Sequence, residues 1–177
     1  ATGPFLPIHR AADEIGGNCI ELEHDGHRLL LDAGSPLVGD GTTEPQGAIP
    51  RTLDTSKDLA GLVISHPHQD HWGLLRSLPA SWSVWSGAAS ETLIRMTASL
   101  SGGGVAQRFQ TYRPHEPFSV GPFTITPFLT DHSAFDAHML LVDVGGKRVL
   151  YSGDFRRVGR KAALVDGLMK NPPPLLR

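Results

Sequence analysis

The run Ser65-His66-Pro67-His68-Gln69-Asp70-His71 constrains this chain more than any other segment. Three imidazoles and a carboxylate fall within positions 66–71, and this donor set suits zinc, with metal–nitrogen distances near ~2.0–2.1 Å. His66 and His68 are two residues apart, so an extended backbone points both side chains the same way. Asp70 continues the alternation, and a turn there brings His71 round to a second metal. Leu62-Val63-Ile64 reads as a short buried strand that feeds the cluster, which places the donors at a sheet edge, where sites concentrate. A solvated histidine-rich loop is the plainer reading. It needs neither the preceding strand nor the backbone-shaping Pro67 and Gly73 that bracket the donors.

A length of 177 residues fits one domain over 1–177 with a sizeable core. Hydrophobic content of 40% against 19% charged residues excludes a disordered chain. No apolar run approaches the roughly 20 residues of a membrane helix, and no basic segment followed by an apolar stretch marks a signal peptide. The chain begins at Ala1 rather than Met, which suggests processing or an unrecorded start. With Cys19 alone there is no internal disulfide, which is compatible with a cytoplasmic location, and Cys19 reads as a small core residue. The net charge of −2 argues against a broadly basic face, so any contact with RNA or other nucleic acid must be local.

The pattern predicts an α/β chain with a mixed sheet. Cys19–Leu22 and Arg28–Leu31 flank Asp25-Gly26, and Met139–Val144 and Arg148–Ser152 flank Gly145-Gly146; both are hairpin signals. Ser83–Ser86 and Phe123–Leu129 read as strands, and the Gly-, Pro- and Thr-rich segment Gly34–Pro50 as a surface loop. Helices are expected over Trp72–Leu78, stopped by Pro79; over Ala88–Leu100, with Leu93, Met96, Thr97 and Leu100 at helical spacing; and over Gly159–Lys170, ended by Pro172-Pro173-Pro174. The chain then stops abruptly, as though a C-terminal part were missing.

The cluster resembles the His-x-His-x-Asp-His signature of the metallo-β-lactamase superfamily. Asp32 in Leu31-Asp32-Ala33-Gly34, His132 in Thr130-Asp131-His132-Ser133, and Asp154 in Ser152-Gly153-Asp154-Phe155 resemble its other elements, in order. The resemblance implies an αββα sandwich of two mixed sheets, incomplete here at the C-terminus. It implies two zinc ions, or manganese: His66, His68 and His132 on one, Asp70 and His71 on the other, and Asp154 bridging. Asp32 would hold the ligand loop through hydrogen bonds. The histidine that completes the second site in the family has no counterpart after Asp154, so the second site is either weak or completed by missing residues.

Ser152-Gly153-Asp154-Phe155-Arg156 and Asp131-His132-Ser133-Ala134-Phe135-Asp136-Ala137 resemble the β-CASP and ribonuclease J-like branch. That branch implies a zinc-dependent nuclease hydrolysing RNA phosphodiesters with a metal-activated water, and Asp70 orienting that water and accepting its proton. No donor for the leaving oxygen can be named. Hydrolysis of a small ester, thioester or lactam is the alternative, and a truncated, inactive scaffold the third. Arg156, Arg157, Arg160 and Lys161 suit phosphate binding and equally fit a solubilising helix start. Trp72 fits the core better than a base-stacking role, His138 reads as structural, and His9, His24, His27 and His115 as surface residues. A homo-oligomer is compatible with all of this.

Overall fold

Leu29, Leu30 and Leu31 are consecutive and fully buried, which requires cover on both faces of their strand. A computed structural model, which describes residues 4–13, 15–37 and 47–174, supplies that cover. The strand, β3 (His27–Leu31), pairs antiparallel with β2 (Cys19–His24) and parallel with β4 (Gly61–Val63). With β1 (Ile8–Arg10), β5 (Val84–Ser86) and β6 (Phe109–Thr111) they form a mixed sheet in the order β1-β2-β3-β4-β5-β6. A second sheet, β10-β9-β8-β7, comprises β7 (Phe118–Val120), β8 (Phe123–Leu129), β9 (His138–Val144) and β10 (Lys147–Tyr151). Its described strands are all antiparallel.

Strand alternation divides the apolar residues between two layers. Leu29, Leu31 and Val63 face the second sheet and pack with Phe123, Ile125, Leu140 and Val142. Leu30, Leu62 and Val84 face the other way, against Trp72, Leu75, Ile94 and Ala98. α2 (Ala88–Leu100) covers that outer face, and α3 (Ala162–Lys170) buries Val165 on the other side of the molecule. The result is two sheets face to face with helices outside.

Both hairpins form, with Asp25 and Gly26 at positive φ in the first and Gly145 and Gly146 in the second. The two turns meet: a Cβ on Gly145 would lie 2.4 Å from His24 Cε1, so glycine makes room for the ring. Several expectations need correction. Trp72–Leu78 is not one helix: α1 spans Gln69–Trp72, and a separate 3-10 turn spans Leu75–Ser77. α2 has the expected bounds but buries Ser90, Ile94 and Ala98, leaving Met96 54% and Leu100 82% exposed. The small face wins because α2 lies close over the sheet and its first turn is tied down by Asp136, which accepts the Ser90 N–H at 2.9 Å. α3 begins at Ala162 rather than Gly159. Three short strands, β1, β6 and β7, had no sequence signal strong enough to read. Of the expected surface loop 34–50, residues 34–37 and 47–50 form no helix or strand beyond a bridge from Pro36 to Gly16, but Gly34, Ser35, Pro36 and Pro50 are buried rather than at the surface, because Gly34 and Ser35 pack against α1; the rest lies outside the described residues.

His9 and His24 are not surface residues. His9 bonds Glu21 and Thr52, both at 2.8 Å, and His24 sits under the second turn; His27 and His115 are exposed.

Candidate metal centre

In an open sheet, sites form beyond the carboxyl ends of the parallel strands. Here Asp32 follows β3 and Ser65 and His66 follow β4. In the second sheet β8 and β10 run the same way, and the loops beyond their ends carry His132 and Asp154. All four loops meet at one edge of the sandwich.

α1 places Asp70 and His71 there, and three of its four carbonyls accept backbone N–H groups from the segment 18–35. Gln69 O accepts the Ser35 N–H at 3.2 Å, Asp70 O the Asn18 N–H at 3.0 Å, and His71 O the Ala33 N–H at 2.8 Å. The backbones approach so closely that a Cβ on Gly34 would lie 1.6 Å from Asp70 O. The Trp72 indole N–H donates to Pro67 O at 2.9 Å, closing the histidine loop, while its ring lies in the core.

Asp32 organises the site. It is fully buried in a left-handed conformation (φ 59°), which Asp tolerates better than most residues. Oδ1 accepts the Ser65 N–H at 2.7 Å; Oδ2 accepts the Ser65 hydroxyl at 2.7 Å, His71 Nδ1–H at 2.6 Å and the Tyr151 hydroxyl at 2.7 Å. Burial works against its charge, but His71 and these hydrogen bonds keep the carboxyl below the ordinary Asp range. The carboxylate can only accept, so it fixes two imidazoles at once. His71 gives it the Nδ1 hydrogen, which turns Nε2 to the site. Ser65 gives it the hydroxyl hydrogen and, through its lone pair, takes His66 Nδ1–H at 3.0 Å, which leaves His66 Nε2 without a hydrogen.

These nitrogens point into one space. His68 Nδ1 lies 3.2 Å from His66 Nε2 and 3.1 Å from His132 Nε2. Ligands of a tetrahedral ion with metal–nitrogen distances near 2.0–2.1 Å stand roughly 3.3 Å apart, so the three nitrogens are spaced as such ligands are. His71 Nε2 is buried without a hydrogen-bond partner, 3.6 Å from Asp70 Oδ2 and 3.5 Å from Asp154 Oδ1. Asp154 Oδ2 turns instead to His132 Nε2, at 3.8 Å. Two sets therefore have donor atoms mutually within 4.8 Å: His66, His68 and His132, and His66, His71 and Asp154.

The electrostatics favour a cation. Burial first, and then the neighbouring His71, push the His66 pKa down to about 3, so its ring is neutral. Burial also lowers His132. At His71 burial opposes the charge, but Asp32 and then Asp154 and Asp70 outweigh it and hold the pKa at about 10. The acids that stabilise a proton at Nε2 would stabilise a metal ion there equally, with release of the proton.

A model of the metallo-beta-lactamase superfamily matches residues 12–175. The chain belongs to this superfamily. It is 28% identical to ribonuclease J of Helicobacter pylori over 152 residues, covering 81% of this chain and 22% of that protein. It is 24% identical to cleavage and polyadenylation specificity factor 73 of Drosophila melanogaster over 170 residues, covering 83% of this chain and 24% of that one. The chain thus spans less than a quarter of the length of either. A solved protein of unknown function from Enterococcus faecalis superposes with a TM-score of 0.77 at 15% identity, over 93% of this chain and 46% of that one, which shows the shared fold.

Sequence reasoning missed Tyr151 and Asn18. Asn18 Nδ2–H donates to the Tyr151 hydroxyl at 3.0 Å, so the two extend the Asp32 network. No sequence signal links Tyr151 to Asp32, because 119 positions separate them. The basic cluster splits. Arg157 pairs with Asp166 at 2.7 Å, whereas Arg156, Arg160 and Lys161 line an open basin beside His132. His138 is buried, with Nδ1 3.4 Å from the Tyr112 hydroxyl.

Proposed function

We propose that this chain, read as one domain, is the metal-binding part of a binuclear metallo-hydrolase that cleaves phosphodiester bonds in RNA. The observation that carries it is the convergence of three imidazole nitrogens at 3.1–3.2 Å beside a carboxylate that faces both donor sets. The choice of RNA rests on the likeness to ribonuclease J and to the cleavage factor.

His66, His68 and His132 would hold one zinc ion, His71 and Asp70 a second, with Asp154 reaching both. Bound there, the ions would polarise a phosphoryl oxygen and lower the pKa of a water to about 7. Asp32 keeps His66 and His71 in the tautomers that leave Nε2 free. Asp70, half-buried at the rim, orients the attacking water and accepts its proton. Manganese would suit the mixed nitrogen and oxygen donors of the second set as well.

Purified protein supplied with zinc or manganese should cleave labelled single-stranded RNA. Chelation and the His66→Ala/His68→Ala double variant should abolish cleavage, with about two metal ions per chain lost from the variant. Intact RNA alongside turnover of a chromogenic ester or lactam would reject the nuclease reading in favour of a small-molecule hydrolase.

A further inference from the structure

Between the loop after β8 and the loop before α3 lies an open basin of about 480 Å³, lined in part by His132, Phe135, Arg156, Arg160 and Lys161. It is continuous with the candidate metal centre, since His132 belongs to both. Its cations differ in how they are held. Arg156 is anchored through Nε to Asp131 Oδ1 at 3.4 Å and by its backbone N–H to Asp131 O at 2.7 Å. Its two terminal nitrogens make no hydrogen bond among the described residues, which leaves the forked face of the guanidinium for a ligand. Lys161 Nζ donates to Phe135 O at 2.8 Å and lies 5.5 Å from the centre of the Phe135 ring. Arg160 is exposed and has no partner among the described residues. Among its described lining residues Asp131 is the one acid, and it is buried beneath Gly159.

The Phe135 ring is 76% exposed at the basin wall, although a phenyl group placed there for stability would be covered. Forked guanidinium donors suit phosphate, and a bare aromatic face beside them suits a nucleobase, which stacks whatever its identity. We propose that this basin binds a nucleotide next to the cleaved bond of single-stranded RNA, with its phosphate on Arg156 and Arg160 and its base on Phe135. The proposal rests on the nuclease reading for its ligand, but it makes a separate claim about binding. Arg157, neutralised by Asp166, lies outside the subsite and serves as an internal control.

The test measures anisotropy of a labelled phosphorothioate oligoribonucleotide, which resists hydrolysis, on metal-loaded protein across a salt series. Phe135→Leu should weaken binding about 5- to 150-fold, the worth of one stacked base, and leave the salt dependence unchanged. Arg160→Ala should lower the slope of log K against log salt by about 0.7, and Arg157→Ala should not change it. Metal content must match the parent protein in every variant, which separates a lost subsite from a damaged fold. Wild-type affinity in Phe135→Leu, or equal slopes in Arg160→Ala and Arg157→Ala, would overturn the subsite even if RNA is cleaved. If RNA is never cleaved but these binding effects are found, the subsite stands and the nuclease reading falls.

Discussion

Asp32 illustrates how a single residue can set the protonation of a whole site. It accepts four hydrogen bonds, and two of them decide which nitrogens of His66 and His71 face the donor cluster. The Tyr151 hydroxyl is the one donor that is not itself next to a metal-binding candidate, so its removal tests the network without touching the donors. Tyr151→Phe should cost about 1.5–3 kcal/mol in urea denaturation, the worth of a hydrogen bond to a charged group. Its zinc affinity, read by competition with a chelator, should fall by less than the about 10- to 100-fold usual when a direct partner of a ligand is lost, because Tyr151 acts on His71 only through Asp32. Stability lost with zinc affinity unchanged would make Tyr151 a purely structural residue. Cys19, by contrast, is inert: burial pushes its thiol up to about 12.

At the scale of the element, α1 is too short to be stable alone. It exists because the N–H groups of Asn18, Ala33 and Ser35 capture its carbonyls, and this needs the two backbones to touch at Gly34. Any Cβ there would strike the carbonyl of Asp70, backbone against backbone. Gly34→Ala should therefore displace α1 and both of its side-chain donors. On the proposed binuclear reading, the expected outcome is loss of the ion assigned to Asp70 and His71, seen as a fall from about two ions per chain to about one by mass spectrometry. Unchanged metal content would mean that the strand–helix contact relaxes without moving the donors. The same contact explains why a helix expected over Trp72–Leu78 begins instead at Gln69: tertiary hydrogen bonds, rather than propensity, define its ends.

At the scale of the whole molecule, an ionic anchor far from the site ties β1, β2 and β3 to the segment 52–57. Glu21 receives Arg28 through two hydrogen bonds, at 2.7 and 3.0 Å, and His9 at 2.8 Å, while Arg28 also reaches Asp54 O at 3.0 Å. Burial opposes the Glu21 charge, but the bonds from His9 and Arg28 outweigh it and bring the pKa down to about 2, from a usual 4.5. The folded state thus holds this carboxylate ionised more strongly than the unfolded chain does. Its stabilisation is complete above pH 4.5 and is lost as the pH falls towards 2. Glu21→Gln should cost about 3 kcal/mol near neutral pH by leaving Arg28 buried without a counter-charge. The gap to the parent protein should close as denaturation is repeated from pH 4.5 down to pH 2. A gap that stays constant would show that the carboxylate charge contributes nothing.

The two hairpins, the buried strand that feeds the histidines, the extent of α2 and the run of histidines were legible in the chain alone, because each is written in neighbouring residues. Turn glycines, strand alternation and close donor spacing are local signals, and the motif order carried them as far as a superfamily. Folding settled which face of α2 is covered, that His9 lies inside an ionic anchor, and that Arg157 is paired with Asp166 while the terminal nitrogens of Arg156 and the Arg160 guanidinium have no partner among the described residues. It also brought Tyr151 to Asp32 and His132 to His68. These outcomes depend on what lies across a sheet or beyond a loop, and contacts between residues so far apart in the chain leave no trace in local periodicity.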